Sequence, residues 1–205
     1  MKEFCAANHI KAYILNPKQS HNFAKSLGVR SKSDKIDACV IWRYQSLIAH
    51  DKIKIPVIDP VARTLNSYLT SYQFIQGQRV AISNHLASVT NKDLSEMLRG
   101  ELLGKQLLEE ELLAIIKAYI AEHPKLQEDF QRLKTISGIG EKVAFSLMAL
   151  FYNYQSTNRA EITALVGLDP IYKESGKSVK GGVRISKNGN RYIRKMLYLP
   201  TLCAI

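Results

Sequence analysis

Apolar residues recur at intervals of three and four along most of this chain, the spacing of one face of an α-helix. Val61, Leu65, Tyr68, Leu69, Tyr72 and Ile75 set out one such run, from Val61 to about Val89. Leu103, Leu107, Leu108, Leu112, Ile115, Ile116 and Tyr119 set out a second, near Leu102 to Ala121. Gly77, Gly100 and Gly104 argue against one unbroken rod, since glycine is a poor helix former. The pattern predicts either an antiparallel helix pair or an oligomerising coiled coil over residues 59–123.

The first 58 residues read differently. Ile10 to Leu15 is β-branched and aromatic and stops at Asn16-Pro17, which predicts a short buried strand and a turn. Lys18 to Leu27 predicts a helix ended by Gly28. Another helix begins at Ser31-Lys-Ser-Asp-Lys-Ile-Asp-Ala38, with either serine able to cap it. A lone strand followed by helices is not a self-sufficient sheet.

The last stretch, residues 124–205, predicts short helices over Leu126–Lys134, Glu141–Phe151 and Arg159–Val166, with a final one from about Asn190. Ile136-Ser-Gly-Ile-Gly140 falls between the first two, the apolar-Gly-apolar-Gly pattern of a helix-hairpin-helix. Gly138 and Gly140 permit a tight turn and close approach of a phosphate, with Lys142 beside it at the positive end of the next helix. The same residues also fit a plain turn in a helical bundle.

Charge bears on the choice. The formal net charge is +11, and from Ile171 to the end eight cations stand against Glu174 alone. Lys177, Lys180, Arg184, Lys187, Arg191 and Arg194 are among them, and a phosphate backbone is their natural counterpart. An acidic membrane surface is the rival, but glycines interrupt the apolar face that insertion requires. No apolar run approaches a membrane span and no signal-peptide design opens the chain, so a cytoplasmic location is expected. The three cysteines make no CxxC pair, and the five histidines have no ligand-like or triad-like spacing.

Two further clusters are chemically suggestive. Asp34 and Asp37, three apart, share a helix face and can hold a divalent ion such as Mg²⁺; equally, they suit a first turn by complementing the helix dipole. Ser175 and Ser178 lie in a glycine-rich cationic loop, where a hydroxyl can attack phosphorus or simply contact phosphate. Gly176-Lys-Ser178 lacks the upstream glycine spacing of a nucleotide-binding loop.

Taken in order, Leu15-Asn-Pro17, Lys32 to Ala38, Ile136 to Gly140, Leu165-Val-Gly-Leu-Asp-Pro170, Glu174-Ser-Gly-Lys-Ser178 and Arg184-Ile-Ser-Lys-Asn-Gly-Asn190 form a set. With Arg191, Arg194 and Leu197 on the last helix, the chain resembles the insertion-sequence one-ten family of bacterial transposases, which includes the Piv-type DNA invertases. The resemblance implies a mostly α protein with a small α/β remnant. Residues 1–58 would be the C-terminal part of a RuvC-like nuclease domain of RNase H type, 59–123 a coiled coil, and 124–205 a helix-hairpin-helix transposase domain. It further implies Mg²⁺ at Asp34 and Asp37, which match two of the family's four acidic residues, and a serine nucleophile, Ser175 or else Ser178. DNA, a structured guide RNA and further copies of the chain are the implied partners. The family's first two acidic residues have no match here, and the family continues beyond Ile205. The expectation is a copy truncated at both ends, either a recombinase or a non-catalytic remnant that binds DNA or RNA.

Overall fold

The computed structural model describes residues 1–155, 157–175 and 179–204, with the backbone alone at 173–175 and 179–181. These fall into two compact units, Met1–Asp59 and Pro60–Ile205.

The first unit holds helices α1 (Lys2–Ala7), α2 (Pro17–Ser26) and α3 (Asp34–Gln45), with a short 3-10 turn at His50–Lys52. Asn16 caps α2 through its side chain, accepting from the Lys18 amide, and Ser33 caps α3 by accepting from the Ile36 amide at 3.3 Å. Phe23 and Tyr44 meet edge to face, centroids 5.1 Å apart, and join α2 to α3. The strand expected at Ile10–Leu15 does not form. A single bridge, Ala12 to Lys54, is all the pairing this segment makes among the described residues, and Ile14 is 62% exposed. A strand needs neighbours for its backbone groups, and this unit supplies one residue of one neighbour.

The second unit is built on α4 (Pro60–Leu86) and α5 (Lys92–Ala121), which fold back on one another; Tyr68 near the start of α4 packs on Tyr119 near the end of α5. Of the two arrangements expected here, the chain adopts the antiparallel pair. The break falls at residues 87–91, where Asn91 caps α5, and the helix runs straight through Gly100 and Gly104. It therefore begins ten residues before the expected Leu102. A glycine costs a helix only about 1 kcal/mol, which a long helix packed against a partner absorbs.

Helices α6 (Pro124–Lys134), α7 (Glu141–Asn153) and α8 (Arg159–Val166) follow. Strands β1 (Pro170–Ser175) and β2 (Val179–Ile185) come next, then α9 (Arg191–Cys203). Helix α7 is the centre of the unit. Ala144 through Leu150 are all buried, so it is enclosed on every side. One face meets Leu65, Leu69, Ile116, Ile120, Leu126 and Phe130; the other meets Val166 of α8 and Ile193 of α9. Where a glycine-rich loop was expected around Ser175, β1 and β2 instead pair antiparallel, with Ile171 opposite Arg184 and Ser175 opposite Val179.

Candidate nucleic-acid interface

The predicted site residues fall in four places. Asp34 and Asp37 stand in the first turn of α3, as their spacing requires. Asp37 borders a cleft of about 650 Å³ with His21, Lys25, Arg30 and Lys32, whereas Asp34 does not line it. Among the described residues no group of three or more His, Cys, Asp or Glu side chains gathers anywhere.

The Ser137–Gly140 turn joins α6 to α7 as expected, but its surroundings are already filled by protein. Gly138 has φ +82°, and a Cβ there would stand 2.8 Å from the Pro200 carbonyl oxygen and 2.9 Å from Cys203 Cβ. The last turn of α9 thus lies directly on Gly138, and the Ser137 hydroxyl donates to the Cys203 carbonyl at 3.4 Å. Gly140, by contrast, has open space around its Cα.

Lys142 is engaged too. Its Nζ donates to Glu109 Oε1 at 2.8 Å, Arg79 Nε to Oε2 at 2.8 Å, and the Tyr72 hydroxyl to Oε1 at 2.7 Å. Glu109 and Tyr72 are both buried. Burial pushes the Glu109 carboxyl up, but hydrogen bonds from Lys142, Tyr72 and Arg79 outweigh that and hold it below its ordinary value. Burial, together with the neighbouring carboxylate, drives the Tyr72 phenol well above its usual range. The Tyr192 hydroxyl, from α9, is buried close to this group, beside Ser146 of α7. Burial pushes its phenol up as well.

Ser175 is the last residue of β1, and the backbone of Lys180 lies in β2 opposite Glu174. Lys177 and Ser178 lie outside the described residues. Beyond the hairpin, residues 186–190 clasp the end of α8. The amides of Lys187 and Asn190 donate to the carbonyls of Gly167 and Leu165, and the Ser186 hydroxyl bonds Asp169. Arg194 Nη1 caps the same helix end at the Val166 carbonyl, 2.6 Å away. Gly167, at φ +73°, and Gly189 are interlocked here: a Cβ on Gly189 would stand 2.1 Å from the Leu165 carbonyl oxygen.

This clasp ties the start of α9 to the end of α8, and an open cleft of about 1000 Å³ lies along α9. Lys187, Arg191, Arg194 and Lys195 line it, and no carboxylate does among the described residues. Its floor is apolar, with Ile185, Tyr198, Leu199 and Leu202. Arg184 is exposed on β2, one residue before Ile185. Of the expected cationic residues, the fold therefore gathers Lys187, Arg191 and Arg194. It adds two that the motif reading passed over, Lys195 and Tyr198, whose signal was their spacing of four and seven from Arg191. Glu109 had no signal: nothing in a helix of many glutamates marks the one that faces inward.

Residues 130–205 match the family model described as Transposase IS116/IS110/IS902 family. Among its relatives, the pilin gene-inverting proteins of Moraxella lacunata and Moraxella bovis are each 25% identical over 213 residues. The aligned region covers 98% of this chain and 62% of each of theirs. The transposase for insertion sequence element IS1111A of Coxiella burnetii is 33% identical over 221 residues, covering 95% of this chain and 57% of that protein. The chain thus spans about three fifths of the length of the curated relatives it matches. Among the described residues no helix is long and apolar enough to cross a membrane.

Proposed function

We propose that the chain is part of a DNA transposase or site-specific recombinase of an insertion sequence, and that its second unit grips DNA through the cleft beside α9. The observation carrying this reading is the cleft itself: four cations and no carboxylate among its described lining. The match of residues 130–205 to a transposase family model supports DNA as the polyanion.

In this reading residues 1–58 are the end of a RuvC-like nuclease domain, and α6–α7 is a helix-hairpin-helix. Asp34 and Asp37 would hold a Mg²⁺ ion together with further oxygen donors, and the ion would supply Lewis-acid activation of a phosphodiester. Ser175 is the nucleophile, with Ser178 second to it. Its hydroxyl oxygen attacks a backbone phosphorus and forms a phosphoserine ester. One sugar oxygen leaves, taking up a proton as the serine gives one to a base. Backbone amides and cations around the glycine-rich loop offset the developing charge. A structured guide RNA selects the DNA, and several copies of the chain act together.

The test is covalent capture on supercoiled insertion-end DNA, with Mg²⁺ and candidate guide RNA. A protein–DNA adduct is expected from the wild type and from neither Ser175→Ala nor Asp34→Ala/Asp37→Ala. An adduct that survives Ser175→Ala and disappears with Ser178→Ala moves the nucleophile. Salt-sensitive binding without any adduct leaves a DNA-binding protein that performs no chemistry alone. Binding indifferent to salt overturns the reading, because each phosphate contact to duplex lowers log affinity by about 0.9 per decade of salt.

A further inference from the structure

We propose that the α9 cleft receives an unpaired DNA strand, with Tyr198 stacking on one of its bases. This rests on the DNA-binding reading above and narrows it to one form of the polymer.

The argument starts from the two faces of α9. With about 3.6 residues per turn, Arg191, Arg194, Lys195 and Tyr198 fall at i, i+3, i+4 and i+7, on a single face. Ile193 and Pro200 fall on the opposite face, and both are buried. The helix is therefore anchored by one side and presents the other. On that presented side the aromatic ring of Tyr198 is 66% exposed. Leu199 and Leu202, next along the cleft, are also exposed.

Intact duplex offers such a surface only half of what it is built to meet. Its outer face is sugar and phosphate, which the cations answer; its base faces are stacked inside. An apolar floor then stays wet and gains nothing. An unpaired strand presents both groups at once, phosphates along one edge and flat bases along the other. A single aromatic side chain flanked by cations is the pairing that proteins use for this purpose, and it works for any base because each has a π-face.

The cations are disposed to allow it. Arg194 is partly occupied in capping α8 at the Val166 carbonyl, which fixes the helix in place. Arg191 and Lys195 are exposed on the same face of α9 as Tyr198, and Lys187 lines the cleft with them.

The experiment uses the full chain and fluorescence anisotropy on a short mixed-sequence DNA oligonucleotide, single-stranded and as its duplex. The wild type is expected to prefer the single strand. Tyr198→Ala is expected to weaken single-strand binding about tenfold and to leave duplex binding unchanged, while Tyr198→Phe retains wild-type affinity. Arg191→Ala/Lys195→Ala is expected to reduce the single-strand salt slope by about 1.4, two contacts at about 0.7 each. Circular dichroism of each variant should match the wild type, since all three side chains are on the surface. Equal loss on both substrates with Tyr198→Ala, or no loss on either, overturns the proposal. So does tighter binding to RNA of the same sequence. A wild type that binds duplex without strand preference sinks this inference alone; one that binds neither form sinks the DNA-binding reading with it.

Discussion

Glycines at the α6–α7 turn have two different tasks that their common residue type conceals. Gly138 is held at positive φ with the last turn of α9 against it, so any side chain must both enter a left-handed backbone and displace Pro200 or Cys203. Gly140 precedes α7 at φ −82° with open space around it. Gly138→Ala should therefore cost about 2–3 kcal/mol, the sum of a left-handed penalty and an overpacked contact. Gly140→Ala should cost less than about 1 kcal/mol, since alanine is only a poorer cap than glycine. Urea unfolding of both variants checks the pair. Equal destabilisation would mean that the turn's glycines serve conformation alone, and that contact with α9 has no special weight.

At the scale of elements, the Glu109 carboxylate draws α4, α5 and α7 together through Tyr72, Arg79 and Lys142. Its acidity is raised in the folded state, so the fold binds fewer protons there than the unfolded chain does. The resulting stability is complete above the unfolded value, ordinarily 4.5, and is lost as pH falls through the lower folded value. Glu109→Gln keeps the shape and removes the charge. At neutral pH it should cost about 1–3 kcal/mol, and the gap to wild type should close on acidification. A gap that stays constant from neutral to acid would show that the carboxylate's charge is not what joins the helices. Glu141, held below its ordinary value first by a hydrogen bond from Lys117, titrates in the same direction, so Glu141→Gln serves as the companion measurement. The same elements show what the sequence could convey. Periodicity located the helices because each has a side turned to the core, and the two serines at Ser31 and Ser33 marked the start of α3, which Ser33 caps. Ile10–Leu15 had a strand's composition without a strand's partners, and composition cannot supply those. The β1–β2 hairpin lacked alternation because its residues are chosen for charge and turn-making, so it read as loop. The cleft was half legible: its cations were countable and Tyr198 was marked by its spacing from Arg191, while the clasp around Gly167 and Gly189 depends on contacts across distant segments.

For the molecule as a whole, the question is what covers the outer side of the long helix pair. Leu94, Met97, Leu108 and Ile115 recur along one flank of α5 at helical spacing, and all four are exposed, as is Phe74 on α4. Leu112, Ile116 and Ile120 on the same helix face the core, and Leu108 and Ile115 lie within a turn of Leu112, so this flank extends the core-facing stripe outward. A single copy gains nothing by exposing it, and apolar helix flanks of this kind are how helices pair with copies of themselves. That is the physical content of the proposed oligomer: a contact through α5, separate from the cleft at α9. Sedimentation of the wild type should show concentration-dependent association, and Met97→Glu/Leu108→Glu should shift it to monomer. Because both side chains are on the surface, helicity and urea midpoint should change little. DNA affinity per chain should persist in the double variant while any adduct formation that needs two copies is lost. Association unaffected by the two charges would place the contact elsewhere and leave the α5 stripe without a partner.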